Sequence, residues 1–355
     1  MRAIVLDQPG VVTVEDRPEP RLEGEDEALV RVTCAGLCGS DLHIVSGRDR
    51  GCRPGTIMGH ELVGVVEEVG RQLAGTLQRG DRVVAPFTIS CGQCFYCKRG
   101  FTGRCVQSRG FGFVTEEGVG LEGAQAQWVR VPLAATTLLR LPERRADGAP
   151  FTDEEALFLG DILSTAYGCA SGAGVTSGDV VAVVGCGPVG LLCVQSARLL
   201  GAAQVVAVDA VGHRRELAAE FGAAPAADDE EAARLVAERS DGRGADVVLE
   251  AVGAAPALDL ALRLVRPAGV VAIAGFHTAE SYPLPMVAAY GKNLTLKMGR
   301  CHARQVMDEL LPLVVAGRFR QTEIVSHRLP LDDGARAYEL FASRRDNAVK
   351  VLLAP

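Results

Sequence analysis

The feature that most constrains this chain is a group of four cysteines in the segment CGQCFYCKRGFTGRC, namely Cys91, Cys94, Cys97 and Cys105. Four thiolates that converge on one point form a tetrahedral zinc site, and cysteines three positions apart on a glycine-containing turn provide that geometry from one lobe. Core thiols or a disulfide pair are the alternative interpretation, which this density and spacing disfavour. Because structural zinc sites are closed, we expect this lobe to have no catalytic role.

Length and composition limit the class of protein. A chain of 355 residues can form two domains, and 48% hydrophobic with 23% charged residues is typical of a globular protein. The net charge of -7 argues against nucleic acid as a partner. The N-terminus lacks the pattern of a secretory signal, and no uninterrupted apolar run is long enough to span a bilayer. These features predict a cytoplasmic protein with no membrane partner.

The pattern of apolar and turn-forming residues changes near residue 162. Before it, short β-rich runs such as ALVRVTCAG and DRVVAPF are broken by Gly and Pro, which predicts a mainly β domain that carries the cysteine lobe. After it, buried strands such as VVAVVG and QVVAVDA alternate with amphipathic helices, which predicts an α/β doubly wound parallel sheet. We therefore predict domains at 1–161 and 162–298, with 299–355 returning to the first domain.

A glycine fingerprint, GCGPVG, follows the strand VVAVV and opens a helix. Its glycines allow a tight turn, close approach of a pyrophosphate and close packing of helix on strand. An acidic residue, Asp209, ends the next strand, where it can accept hydrogen bonds from the adenosine ribose. The predicted cofactor contacts here are Gly185, Gly187, Pro188, Val189, Gly190 and Asp209.

The choice between NAD and NADP depends on the same acidic residue. A 2′-phosphate beside the carboxylate of Asp209 would be repelled, so we predict NAD. Arg214 lies close by in sequence and is a further candidate contact to the cofactor. Its positive charge keeps NADP as the alternative.

A second metal site is indicated by Cys38 in CAGLCGSDLH and His60 in MGHELVG. Glycines beside both residues allow the backbone to direct their side chains into a cleft. A catalytic zinc takes three protein ligands and keeps one open position, so a third ligand is required. Taken singly, each of the two residues is better explained as a structural group, because a lone Cys is usually in the core and a lone His is usually hydrogen-bonded.

The motifs GLCGSDLH, GHELVG, the four-cysteine lobe and GCGPVG, in this order, resemble the zinc-dependent medium-chain alcohol dehydrogenase family across essentially the whole chain. The segments FTISCGQC, ALFLGDILSTAYG and MGRCHARQ are similar to the branch that includes glutathione-independent formaldehyde dehydrogenase. The resemblance implies a GroES-like catalytic domain and two zinc ions per chain, one catalytic and one structural. It also implies that Asp161 stands where other members have a second catalytic cysteine.

The resemblance assigns roles to further residues. Glu61 would lie behind the metal and ligate it transiently, and Asp41 would orient the imidazole of His60. Ser40 and His43 would carry the substrate proton toward solvent. The remaining implied contacts are Thr165 with the nicotinamide, Phe87 with the substrate and Lys350 with the pyrophosphate.

The predicted function is that of a zinc-dependent oxidoreductase that exchanges a hydride between NAD and a small alcohol or aldehyde, including secondary alcohols and polyols. One alternative is a zinc-site-bearing, dinucleotide-binding sensor or structural protein without turnover, and another is a formaldehyde dismutase. A zinc-free reductase of the same fold is disfavoured because its sequence would lack both cysteine motifs. The resemblance also implies a homodimer or homotetramer, because the apolar strand LTLKM would be an exposed sheet edge unless it paired with its copy.

Overall fold

The computed structural model of this chain describes all residues from Met1 to Pro355. Its strands, in chain order, are β1 (Arg2–Gln8), β2 (Val11–Asp16), β3 (Ala28–Gly36), β4 (Leu62–Val69), β5 (Arg82–Ala85), β6 (Phe113–Val114), β7 (Gly120–Leu121), β8 (Trp128–Val131), β9 (Leu139–Arg140), β10 (Val180–Val184), β11 (Gln204–Val208), β12 (Ala224–Ala226), β13 (Ala245–Glu250), β14 (Val265–Ile273), β15 (Thr295–Met298), β16 (Val325–Pro330) and β17 (Lys350–Ala354). Its α-helices are α1 (Gly39–Val45), α2 (Ala134–Thr137), α3 (Asp153–Leu157), α4 (Ile162–Gly172), α5 (Pro188–Leu199), α6 (Gly212–Glu220), α7 (Asp229–Arg239), α8 (Ala255–Leu264), α9 (Met286–Gly291), α10 (Ala303–Val315) and α11 (Gly334–Ser343).

The first compact unit contains residues 1–164 and 302–355. Its main sheet has the strand order β16, β17, β3, β4, β5, β9, and β8 also pairs with β3. Most of these pairs are antiparallel, whereas β16 and β17 run parallel. Apolar side chains of the central strands, such as Val30, Leu62 and Val83, are fully buried in one core. The mainly β first domain predicted from sequence is therefore present.

The second unit contains residues 165–301 and is an α/β layer structure. Its six strands form a parallel sheet in the order β12, β11, β10, β13, β14, β15. Every residue of β10 is buried, as expected for a strand covered by helices on both faces. Strand order reverses between β10 and β13, which creates the crevice at which such sheets bind ligands. The predicted doubly wound fold is confirmed.

The two unit boundaries fall at residues 164 and 301, three residues beyond the predicted positions of 161 and 298. The first of these boundaries falls within α4, whose first three residues belong to the first unit. No helix of the chain combines the length and the apolar character needed to cross a membrane.

Candidate functional site

A buried group of potential metal ligands lies in the first unit. The ligand atoms of Cys38, His60 and Asp161 lie within 4.8 Å of one another, and each residue is buried. The Nε2 atom of His60 is 3.2 Å from Oδ2 of Asp161. Three separate chain segments thus bring a thiol, an imidazole and a carboxylate to one point.

Cys38 is placed by the start of α1. It is the residue immediately before the helix and has an extended backbone, with φ of -112° and ψ of 156°. Its backbone N–H donates a hydrogen bond of 2.9 Å to Oδ2 of Asp41, so the helix start is held by an acidic side chain in its first turn. This arrangement fixes the direction of the Cys38 side chain.

His60 is oriented by a polar network. Its Nδ1 atom lies 3.2 Å from Oδ1 of Asp41, which has no exposed surface. The side-chain amide of Gln125 donates to Oδ2 of Asp41 (3.2 Å) and to the carbonyl of Gly36 (3.1 Å), and Tyr338 Oη donates to Oε1 of Gln125 (2.8 Å). A carboxylate behind a metal-binding histidine fixes its tautomer and raises its basicity. Asp41 therefore lies where the sequence analysis expected it.

Asp161 is brought to the group by a close backbone approach. A Cβ atom at Gly160 would lie 2.3 Å from the carbonyl oxygen of Ala85, at the end of β5. Only glycine permits this contact, and it presses the turn Phe158–Gly160 against the sheet. Asp161 follows directly and presents its carboxylate to His60.

Glu61 and Lys350 form a buried ion pair beside the group. Each side chain is 1% exposed, and the Lys350 ammonium contacts Oε2 of Glu61 and also donates to the carbonyl of Leu37 at 2.9 Å. The carboxylate rests on Gly36, where a Cβ atom would lie 2.0 Å from Oε2. Lys350 is thus engaged with Glu61 in this structure, and its contact with a pyrophosphate stays a prediction.

The electrostatics of the three ligands favour a bound cation. Burial raises the pKa of the Cys38 thiol to about 11, and the charge of Asp161 adds to this effect. Burial alone would lower the pKa of His60, but Asp41 and Asp161 hold it well above its usual value. Burial opposes ionisation of Asp161, yet its hydrogen bond with His60 keeps its pKa low. Binding of a metal ion would displace the protons of Cys38 and His60.

An unpaired carboxylate oxygen of Glu61 gives an independent test of whether a metal ion fits this group. Oε1 of Glu61 is buried without a hydrogen-bond partner, and burial raises the pKa of this carboxyl to about 7 against the charge of Lys350. An unpaired carboxylate oxygen is costly unless a cation is available to it. Together with the Cys–His–Asp donor set, it fits zinc.

The other residues predicted for the chemistry lie at distinct places. Ser40 Oγ is 3.6 Å from Cys38 Sγ, and His43 is on the same helix, half-buried. Phe87 follows β5, and its backbone N–H donates to the carbonyl of Gly160 at 3.2 Å, next to Asp161. Thr165 is on α4 and belongs to the second unit. Their contacts with substrate or cofactor stay predictions.

The four-cysteine lobe forms the second potential metal group. The sulfurs of Cys91, Cys94, Cys97 and Cys105 lie within 4.8 Å of one another, and none is in a disulfide. Backbone N–H groups of Cys91 and Gln107 donate to Sγ of Cys105 at 3.2 and 3.3 Å. Backbone hydrogen bonds from Cys97 and Val106 lower the pKa of Cys94 to about 6, which favours its thiolate. This geometry fits a closed zinc site.

The glycine fingerprint forms the turn between β10 and α5. Gly185 has φ of +90°, and a Cβ atom on Gly190 would lie 1.8 Å from the Gly185 carbonyl oxygen. At Gly187, by contrast, the nearest atom to an added Cβ is Nη1 of Arg214 at 3.9 Å. No side chain caps the start of α5. Open space beside uncapped N–H groups and a guanidinium fits a pyrophosphate.

Asp209 lies directly after β11, beside the fingerprint. Oδ2 accepts a hydrogen bond from Cys186 N and Oδ1 accepts one from Val211 N, each at 2.8 Å. Nη1 of Arg214 is 3.9 Å from Oδ2. Each carboxylate oxygen keeps a further lone pair, so both can still accept ribose hydroxyls.

Comparisons with known proteins agree with this geometry. The alcohol dehydrogenase GroES-like domain matches residues 24–143, and the zinc-binding dehydrogenase domain matches residues 188–316. The chain is 39% identical over 363 residues to zinc-type alcohol dehydrogenase B of Aspergillus flavus, across 99% of this chain and 80% of the fungal protein. It therefore belongs to the zinc-dependent medium-chain alcohol dehydrogenase family.

Two further proteins refine this relationship. The solved structure of alcohol dehydrogenase TADH from Thermus sp. ATN1 is 43% identical, with a TM-score of 0.92 over 100% of this chain and 99% of that one. Glutathione-independent formaldehyde dehydrogenase of Pseudomonas aeruginosa is 33% identical over 382 residues, across 96% of this chain and 94% of that protein. The predicted family is confirmed, and its formaldehyde dehydrogenase branch is a more distant relative than the first two proteins.

The residues around Asp41 include two that sequence reasoning missed. Gln125 and Tyr338 complete the polar network behind His60, although they are 213 positions apart. Neither belongs to a local motif, and an isolated Gln or Tyr in an apolar segment carries no metal-site pattern. The glycine before His60 reflects the position of Gln125, because a Cβ atom at Gly59 would lie 2.3 Å from Cγ of Gln125.

Proposed function

We propose that this chain catalyses the NAD-linked, reversible oxidation of a small alcohol or hydrated aldehyde. The observation that carries the proposal is the buried Cys38, His60 and Asp161 group in a chain that also has a dinucleotide fingerprint followed by Asp209. A zinc ion bound there would provide Lewis acidity at its open position, which lowers the pKa of an alcohol. The nicotinamide provides the hydride chemistry.

The residues of the chain provide positioning and proton transfer. Asp41 and Gln125 hold His60 in one orientation, and the buried Glu61 and Lys350 ion pair lies beside the group. Ser40, beside Cys38, would accept the substrate proton, and His43 on the next turn of α1 would pass it toward solvent. Phe87 would provide an apolar wall for the substrate.

The same geometry supports NAD rather than NADP. The carboxylate of Asp209 stands where the adenosine ribose is expected, and it would repel a 2′-phosphate. Arg214 would contact the pyrophosphate, because it lies beside Gly187. Steady-state kinetics with both cofactors test this: wild type should favour NAD by at least about 10-fold, and Asp209→Ser should reduce that preference. A preference of wild type for NADP would refute this assignment.

The central experiment combines metal analysis with a substrate screen. We expect two zinc ions per chain, and NADH formation with some members of a panel of primary alcohols, secondary alcohols, polyols and aldehydes. Two bound zinc ions with no turnover on any member would favour the sensor alternative. Formate and methanol produced from formaldehyde without NADH accumulation would identify a dismutase.

We also propose that the chain forms a homodimer through the edge of its parallel sheet. The edge strand β15 pairs only with β14, and apolar side chains near it are exposed, including Val287 (89%), Tyr290 (85%) and Met298 (69%). An unpaired sheet edge with exposed apolar side chains beside it is a site of association between chains. Light scattering should give a dimer or a multiple of it, and Val287→Glu with Tyr290→Glu should yield smaller species.

A further inference from the structure

A buried carboxylate in the second unit has no role in the chemistry described above. Glu250, the last residue of β13, has no exposed surface. Its Oε1 atom accepts hydrogen bonds from the backbone N–H groups of Val252 (2.7 Å) and Gly253 (2.8 Å), and its Oε2 atom lies 3.1 Å from Nε2 of His277. His277 follows β14, and its side chain is 25% exposed.

The turns that carry this pair interlock with the fingerprint. A Cβ atom at Gly185 would lie 2.5 Å from Cγ2 of Val252, and one at Gly275 would lie 2.1 Å from N of Gly253. Val252 and Phe276 nevertheless expose 47% and 45% of their surface. The turns after β10, β13 and β14 thus form one rigid edge with an apolar, solvent-facing rim.

The position of this edge identifies the part of the cofactor that it faces. In a doubly wound sheet the dinucleotide lies across the carboxyl ends of the strands at the switch point, with its phosphates at the fingerprint. Asp209 marks the β11 side as the adenosine side. The nicotinamide nucleoside half must then extend toward β13 and β14, where Glu250 and His277 lie.

The hydrogen bonds of Glu250 determine the tautomer of its partner. A carboxylate that accepts two backbone N–H groups is an acceptor, so Nε2 of His277 must donate to it. In the neutral imidazole, Nδ1 then carries a lone pair and can only accept. In its neutral form, His277 therefore offers a hydrogen-bond acceptor at Nδ1 to a ligand on this edge.

We propose that His277 is a positioning residue for the nicotinamide nucleoside half of the cofactor, and that its Nδ1 accepts a hydrogen bond from a ribose hydroxyl or from the carboxamide N–H₂. Glu250 acts through His277 by setting its tautomer. This inference rests on the proposed dinucleotide-dependent function.

The test is a ladder of equilibrium affinities, measured by calorimetry for ADP, ADP-ribose and NADH. Wild type and His277→Leu should bind ADP equally, and the variant should bind NADH about 3- to 10-fold more weakly, as expected for one lost hydrogen bond. A difference that begins at ADP-ribose identifies the ribose, and one that begins only at NADH identifies the carboxamide. His277→Asn, which retains an acceptor near Nδ1, should recover part of the affinity.

Glu250→Gln gives a second readout that is independent of affinity. Its amide can still accept from Val252 and Gly253 but would present an N–H group to His277, which shifts the imidazole proton to Nδ1. The ¹⁵N chemical shifts of His277 should report an Nε2–H tautomer in wild type and the opposite tautomer in the variant, and NADH binding should weaken as in His277→Leu.

Four outcomes would overturn the inference. Equal NADH affinities in wild type and His277→Leu, or an equal loss for all three ligands together with a lower Tm, would show that the pair is only structural. An Nδ1–H tautomer in wild type would remove the acceptor. Failure of wild type to bind both ADP and NADH would instead refute the proposed function itself, and the inference with it.

Discussion

The two cysteine-containing metal groups of this chain are built in opposite ways. The lobe takes all four sulfurs from residues 91–105, and Cys105 Sγ accepts hydrogen bonds from backbone N–H groups of Cys91 and the nearby Gln107. The second group takes Cys38, His60 and Asp161 from three distant segments, and a side-chain network orients its histidine. The first is a local loop, and the second is a product of tertiary packing.

This difference predicts what a zinc ion would contribute at each group. The core of the lobe consists mainly of the cysteines themselves. Without a metal ion, few apolar contacts would remain to hold the lobe together. In the second group, by contrast, the ligands are buried and His60 is also oriented by a polar network of side chains. Metal loss should therefore unfold the lobe locally but leave the framework of the catalytic group intact.

Replacement of Asp161 with Ala should have the largest effect on activity. Loss of a residue that only hydrogen-bonds a metal ligand costs up to about 100-fold in activity. Loss of a direct ligand should therefore reduce kcat/KM by more than this. The zinc content should fall from two to one without a large change in Tm. Asp161→Cys is the matched control, because it restores a ligand and should retain zinc. Two zinc ions with full turnover in Asp161→Ala would contradict the ligand assignment.

Replacement of Cys97 with Ser should instead act on stability. An incomplete thiolate set weakens zinc binding, and a loss of about 3 kcal/mol corresponds to roughly 10 °C in Tm for a domain of this size. Calorimetry and metal analysis should show a lower Tm and one zinc, with the catalytic zinc retained at first. Cys34→Ser, a buried thiol outside both groups, controls for loss of a core sulfur. Equal Tm changes in the two variants would argue against a structural zinc.

Replacement of Gln125 with Leu should weaken the catalytic zinc without removing a ligand. Asp41 and Tyr338 would lose their shared partner, and loss of such an outer contact typically costs 10- to 100-fold in metal affinity, so we expect about 10-fold here. Titration against a chelator measures the change. Tyr338→Phe, which removes only the outermost hydrogen bond, should have a smaller effect. An unchanged zinc affinity would limit Gln125 to a role in folding.

The smallest expected effect concerns the pH dependence of proton transfer. Burial and the charge of Arg48 lower the pKa of His43, while Asp49 opposes this. In the proposed relay, neutral His43 accepts the substrate proton, so oxidation should slow as the pH falls through the pKa of His43. Arg48→Gln should raise that pKa and move the acidic limb of the kcat profile to higher pH, whereas Asp49→Asn should move it to lower pH. Identical profiles would exclude His43 from the relay.

Local patterns account for much of what could be predicted. The cysteine lobe and the glycine fingerprint were recognised because each site is formed by residues only a few positions apart. Asp209 was recognised because it stands at the end of the next strand after the fingerprint. The alternation of buried strands and helices predicted the doubly wound sheet, since the spacing of apolar residues in that part of the sequence distinguishes strands from helices. Asp161 could be named only through family resemblance, because a single Asp in GDILST has no metal-site pattern of its own.

The sequence by itself determined the fold class, the four-cysteine lobe and the dinucleotide fingerprint, because each depends on short-range spacing. Tertiary structure alone decided that Gln125 and Tyr338 stand behind Asp41, that Lys350 is buried against Glu61, and that Glu250 contacts His277. These contacts join residues that are far apart in the chain. Their energies come from burial and hydrogen bonding, which exist only once the strands have packed.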